Sequence, residues 1–200
     1  MQHNVKYYAS EIDKYPIKVT QANFPNTIQL GDVQDIQPYK WQQSTDILVG
    51  GSPCQGFSFA GKQLNFADER SKLFFEFVRL RDKLKPKYFL LENVVMKKEY
   101  QDVISSYLGV QPLMLNSSLF TAQNRKRLYW TNFPIDCDIQ DKEIVLQDIL
   151  EEDGIACKEM TNANGKSHCL TATYNGAVWW NSIQRKQRTM VGCIEVGHAE

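Results

Sequence analysis

A three-layer α/β domain over residues 1–134, followed by a smaller irregular subdomain over 135–200, is what this sequence predicts. Three observations carry that prediction. Short apolar runs, Asp46-Ile47-Leu48-Val49 and Tyr88-Phe89-Leu90-Leu91, have the length and composition of buried strands. Between them, Leu73, Phe74, Phe77, Val78, Leu80, Arg81 and Leu84 fall largely on one helical stripe. Beyond residue 134 this rhythm stops, and Asp/Glu clusters and Asn-Gly steps take over.

Each element has its own signal. Val5 to Ser10 reads as a short strand ending at Glu11, and Asp13 to Ala22 as a helix that tolerates Pro16 in its first turn. Thr27 to Leu30 reads as a strand stopped by Gly31-Asp32. Asp46 to Val49 is the next strand and leaves through Gly50-Gly51. Residues 55 to 69, with Gly56, Gly61, Asn65 and Asp68 and little periodicity, read as a mobile loop. The helix from Arg70 to Leu84 stops at Lys85-Pro86, and the strand Tyr88 to Glu92 follows. Glu99 to Leu108 is helical in spacing, with Gly109 as its stop. Val110 to Asn116 and Leu128 to Phe133 read as strands on either side of Gln123-Asn124-Arg125-Lys126-Arg127.

The totals exclude several classes of protein. A chain of 200 residues has room for about one domain. With 42% apolar and 23% charged residues, and a formal charge of zero, neither a membrane nor a nucleic acid is announced by bulk electrostatics. No apolar run approaches the roughly 20 residues that cross a bilayer, and Met1-Gln2-His3-Asn4 is not a secretory signal. The five cysteines, Cys54, Cys137, Cys157, Cys169 and Cys193, are odd in number and lack C-x-x-C spacing. That argues against a zinc or other metal site and against a disulfide framework, and for a reducing compartment: the cytoplasm, or the nucleus of a eukaryote.

The chemistry concentrates at strand ends. Cys54 follows Gly50-Gly51-Ser52-Pro53 and precedes Gly56, a setting of turn formers rather than core packers. Backbone N–H groups in such a turn favour a thiolate, a nucleophile for an electron-poor carbon. Glu92-Asn93-Val94 closes the following apolar run. Two parallel strands joined by a helical crossover end at the same sheet edge, so Cys54 and Glu92 are expected to face one ligand there. A carboxyl so placed can exchange a hydrogen bond or proton with a ring nitrogen, with Asn93 fixing its loop. Gln123, Arg125 and Arg127 alternate, so an extended backbone sets them on one face, suited to an anion, a carboxylate or a pyrimidine edge.

The ordered set Gly50-Gly51-Ser52-Pro53-Cys54-Gln55, Glu92-Asn93-Val94 and Gln123-Asn124-Arg125-Lys126-Arg127 closely resembles the DNA (cytosine-5) methyltransferases. The resemblance runs from about Tyr7 to Phe133, includes Arg70 to Phe77, and implies a Rossmann-like sheet that binds S-adenosylmethionine. It implies that Cys54 attacks C6 of a cytosine flipped out of double-stranded DNA, that Glu92 contacts N3 and the exocyclic amine, and that Arg125 and Arg127 hold the base. Gln55, Ser58, Asn93 and Gln123 would support the substrate, and residues 56 to 69 would close over it. On the cofactor side, Glu11 would take the ribose hydroxyls, Ile12 would pack on adenine, and Asp32 and Val33 would meet its edge. Pro53 and Leu73 would line the same pocket.

The resemblance has two gaps. The family's first strand, with its Phe-x-Gly-x-Gly turn, has no counterpart here, nor do the motifs after the target-recognition region, of which 135–200 resembles the start. Three explanations are compatible with this: a fragment, one part of a split enzyme completed by a polypeptide carrying the first strand, or a degraded copy. The intact Cys54, Glu92 and Arg125 favour the first two. Absent such a complementing chain, a monomer is expected. A catalytically inactive DNA-binding or regulatory subunit, and a thiol redox protein, are the competing functions.

Overall fold

The computed structural model describes residues 5–40, 45–52, 69–135, 139–152, 154–157, 161–169, 189 and 191–193. The chain divides into two compact units: residues 1–112 with 130–133, and residues 113–129 with 134–200.

The first unit opens with β1 (Tyr8–Ala9), α1 (Lys14–Asn23) and β2 (Ile28–Gln29). Asp13 caps α1 by accepting a hydrogen bond from the Tyr15 amide, and Pro16 sits in the first turn, where a missing N–H costs nothing. β1 and β2 pair in parallel, with Tyr8 opposite Ile28 and Ala9 opposite Gln29. The Ser10 hydroxyl then donates to the Gly31 carbonyl at 2.7 Å, tying the two strand exits together. No residue of α1 is buried.

β3 (Ile47–Gly51) and β4 (Tyr88–Val94) form a second parallel pair, linked through α2 (Glu69–Leu84). The α2 stripe buries Phe74, Phe77 and Leu80. Its carboxyl end closes with the Lys85 amide on the Arg81 carbonyl, and Pro86 prevents continuation. α3 (Lys98–Leu108) buries Ile104, Ser105 and Leu108, and Gly109 caps it at φ 73°, a conformation that glycine adopts without steric cost. Tyr107 of α3 meets Phe74 and Phe75 of α2 edge to face. The buried Trp130 donates from its indole nitrogen to the Ser105 hydroxyl at 3.0 Å. Thr131 and Asn132 fasten to the backbone of Phe89 and Lys87, which lays this stretch beside β4.

In a parallel register, paired residues share a face. Leu48 with Phe89, and Gly50 with Leu91, face α2, where Phe77 stacks edge-on against Phe89. A Cβ on Gly50 would lie 2.6 Å from Cδ2 of Phe77, so a glycine is required for α2 to reach the sheet. Gly50→Ala is expected to destabilise the chain by about 1–3 kcal/mol through overpacking, read as a lower urea midpoint. The other face carries Ile47, Val49 and Gly51 beside Tyr88, Leu90 and Glu92. Here Ile47 is 54% and Val49 60% exposed, and among the described residues β3 pairs with β4 alone.

The second unit contains β5 (Leu113–Asn116) and the first residues of β6 (Lys126–Thr131), paired antiparallel with Leu113 opposite Tyr129 and Asn116 opposite Lys126. β7 (Gly154–Ala156) and β8 (Val191–Cys193) form a small antiparallel ribbon. Gln147 brackets β7, donating to the Gly154 carbonyl and accepting from the Ala156 amide. No helix among the described residues is long and apolar enough to cross a membrane.

Candidate active site

In the first unit, the exits of β3 and β4 meet. Gly51 pairs with Glu92, and a Cβ at position 51 would stand 3.3 Å from Glu92 Oε2, so the glycine leaves room for the carboxylate. Asn93 is 2% exposed, and its position is set by what it holds. Its Nδ2 donates to the Ser52 carbonyl at 3.2 Å and to the Ser52 hydroxyl at 3.1 Å, while its Oδ1 accepts from the Val94 amide at 2.8 Å. The buried amide is thereby satisfied on both sides. It also fastens the root of the Pro53-Cys54 loop to the residue beside Glu92. Cys54 is two residues beyond Ser52; Pro53, Cys54, Gln55 and Ser58 themselves lie outside the described residues.

The parallel pairing of β1 and β2 brings the other predicted acids to one edge. Glu11 Oε1 accepts from the amides of Ile12 and Asp13 at 2.8 and 2.9 Å. Its Oε2 makes no hydrogen bond among the described residues. Ile12 is 75% exposed, a flat apolar surface beside that carboxylate. Asp32 caps the short turn Val33–Asp35 by accepting from the Gln34 amide at 2.9 Å. Arg79 of α2 donates to the carbonyls of Val33 and Ile36 and pairs with Glu76, which locks that turn to the helix. A carboxylate with an uncommitted oxygen, an exposed aliphatic side chain and a capped turn fit the diol and the ring of an adenosine. Leu73 lies half-buried on α2.

The second unit holds the predicted basic segment. Asn116 Oδ1 accepts from the Arg125 amide at 2.9 Å, and the Ser117 amide donates to the Arg125 carbonyl at 3.1 Å. Arg125 Nη1 donates to Cys169 Sγ at 3.1 Å. Gln123 forms a parallel bridge with Ser167. Arg127 is turned onto its own backbone, donating to the Lys126 carbonyl at 2.8 Å. Glu92 and Arg125 thus sit in different units.

Sequence reasoning missed Ser52 as the partner of Asn93, Arg79 as the anchor of the Val33 turn, Asn116 and Cys169 as partners of Arg125, and Lys166 on the 118–121 turn. The Asn164-Gly165 step was the only signal near Lys166; Gly165 turns at φ 71° and delivers Lys166 into the unit.

Among the described residues, Asp141 is held away from its ordinary titration range. The Glu143 amide, donating at 2.8 Å, holds its carboxylate below the ordinary 3.8, helped by the Lys166 ammonium and opposed by burial. A lowered carboxylate stabilises the folded chain above pH 3.8, and that contribution is lost as pH falls through the lower folded value. Asp141→Asn is therefore expected to lower the urea midpoint at pH 7, with the difference from the parent shrinking below pH 3.8.

A family model described as C-5 cytosine-specific DNA methylase matches residues 2–194. The chain is 42% identical over 137 residues to the type II methyltransferase M1.ScrFI of Lactococcus lactis subsp. cremoris, covering 63% of this chain and 35% of that one. It is 40% identical over 136 residues to the orphan methyltransferase M.SPRI of Bacillus phage SPR, covering 60% and 30% respectively. Among solved structures it is similar to a prophage-encoded DNA modification methyltransferase of E. coli, with a TM-score of 0.51 and 27% identity over 62% of this chain and 39% of that one. The chain spans about a third of the length of the curated relatives it matches.

Proposed function

Because this chain belongs to the C-5 cytosine-specific DNA methylase family, we propose that it carries the catalytic residues of a DNA (cytosine-5-)-methyltransferase acting on a cytosine extruded from duplex DNA. The observation that supports this most is the Asn93–Ser52 clasp, which roots the Pro53-Cys54 loop at the strand exit bearing Glu92.

Cytosine C5 is a poor nucleophile until C6 is attacked. The Cys54 thiolate forms a bond to C6, and the C5–C6 π electrons move to C5. Glu92 holds N3 and the exocyclic amine, stabilising the charge that develops in the ring. S-adenosylmethionine supplies an electrophilic methyl group when bound. Glu11 is the residue to accept the ribose hydroxyls, Ile12 to pack on the adenine face, and Asp32 and Val33 to meet its edge; Pro53 and Leu73 line that pocket. After methylation the C5 proton is lost, the C6–S bond breaks and the thiolate is restored. Arg125, with Arg127 and Gln123, holds the base, while Gln55 and Ser58 support it from the loop. Extrusion costs on the order of a few kcal/mol, repaid by these contacts.

Residues 135–200 are the start of the target-recognition region in this reading. The exposed Ile47 and Val49, and the side of β3 that has no partner among the described residues, support a second element of it: a further polypeptide segment, in the same chain or another, adds a strand at this edge and covers that face. The protein works on double-stranded DNA in the cytoplasm.

The test is covalent trapping. A duplex containing 5-fluorocytosine cannot lose its C5 substituent as a proton, so the Cys54 adduct persists when cofactor is supplied. The completed enzyme is expected to give a denaturation-resistant complex that Cys54→Ser does not form. Salt-sensitive duplex binding with no adduct would instead mark a DNA-binding subunit.

A further inference from the structure

Lys166 is a lysine buried to 4% exposure, and no motif of the catalytic reading uses it. Its ammonium donates to the Ser118 carbonyl, to the Thr121 carbonyl at 3.5 Å and to Asp141 Oδ1 at 3.3 Å. An ammonium has three donors, and here each has an oxygen. Those two carbonyls belong to the turn immediately before Gln123.

The residues after Lys166 continue the same attachment. The Ser167 amide donates to the Ala122 carbonyl at 2.7 Å, and the Asn124 amide donates to the Ser167 carbonyl at 2.9 Å. Cys169 then receives the Arg125 guanidinium at 3.1 Å. Three residues of the 166–169 segment, Lys166, Ser167 and Cys169, therefore grip the turn, the backbone on either side of Gln123, and the head of Arg125. The grip depends on the lysine's charge. An apolar side chain of the same length would fill the space but take the ammonium from two carbonyls and from Asp141, which among the described residues would keep only the Glu143 amide.

We propose that Lys166 is a positioning residue for Arg125: its ammonium clamps the 118–121 turn to the 166–169 segment, and that register sets where the guanidinium meets the cytosine. This role rests on Arg125 holding the base as described above. Lys166 itself touches no substrate.

Two measurements test it with Lys166→Met and Lys166→Arg. The first is deuterium exchange on the full chain. Lys166→Met is expected to speed exchange of amides in 117–127 by about tenfold or more, leaving α2 and β4 within about twofold. The second is the rate of adduct formation with a 5-fluorocytosine duplex in the active enzyme. There Lys166→Met is expected to slow the reaction by about tenfold beside a native Arg125 but by less than about twofold in an Arg125→Lys background, because the two act through one contact. Lys166→Arg, which keeps the charge, is expected to recover most of the rate. Unchanged exchange at 117–127, loss of protection throughout both units, or equal slowing in both backgrounds would each overturn the proposal. An Arg125→Ala enzyme with parental rate would overturn the base-holding reading of Arg125 instead, and would do so whatever the exchange result.

Discussion

Cys54→Ala is expected to lower methyl transfer into duplex DNA by roughly 10⁴-fold or more, the scale seen when a covalent nucleophile is removed outright. The reason lies in the substrate. C5 of an intact aromatic cytosine has little tendency to attack a methyl donor, and the route through C6 needs a soft nucleophile held above the ring. Water cannot replace it inside a closed site. Duplex affinity and its salt dependence are expected to stay near parental values, since phosphate contacts do not involve the thiol. The measurement is single-turnover transfer of a labelled methyl group alongside a salt titration of binding. Retention of more than a hundredth of the parental rate would remove Cys54 from the chemistry.

Glu92→Gln is expected to slow the same step by about 10²- to 10⁴-fold, the usual contribution of a positioned acid or base. Glutamine keeps the shape beside Gly51, where the carboxylate oxygen has its clearance, so the local packing is retained. Glutamine still accepts from the exocyclic amine; what is lost is the carboxyl that can share or transfer a proton with N3. The change is expected in kcat with little movement of the cofactor KM, because Glu11 and Asp32 sit at the exits of a different strand pair, β1 and β2. A rise in cofactor KM with unchanged kcat would contradict this assignment.

The parts of the fold that were legible in the sequence are those where one local signal decides the backbone. α2 was readable because Phe74, Phe77 and Leu80 form a buried stripe and Pro86 forbids continuation. α3 was readable from Gly109, whose left-handed backbone stops the helix. Strand limits were less so. β5 starts at Leu113 rather than Val110, since Pro112 has no N–H to offer a ladder. β4 runs on past Glu92 to Val94, with Asn93 satisfied by the distant Ser52.

The candidate site divides the same way. That the exits of β3 and β4 meet was predictable because parallel strands joined by a helical crossover end together, and Gly51 does stand beside Glu92; Glu11 and Asp32 were named only through the family resemblance, and the β1–β2 pairing brings their exits to one edge. The contacts that hold the site were not predictable. Asn93 reaches Ser52 across 41 positions, Arg125 reaches Cys169 across 44, and Lys166 reaches Ser118 across 48. Periodicity and turn chemistry report on neighbours a few residues apart and carry no information at that range. Arg127 illustrates a smaller limit: alternation gives the face of a strand, but a long flexible side chain can still bend back to the adjacent carbonyl.

Among the described residues one flank of β3 carries no strand, and this has a practical outcome for anyone preparing this polypeptide. Two copies present the same strand edge, unpaired among the described residues, and the same exposed Ile47 and Val49, so collisions between them compete with productive closure. That competition is second order in concentration, whereas folding is first order. Recovery is expected to improve on dilution and on co-translation with whatever segment seals the flank, and to fall steeply in concentrated stocks.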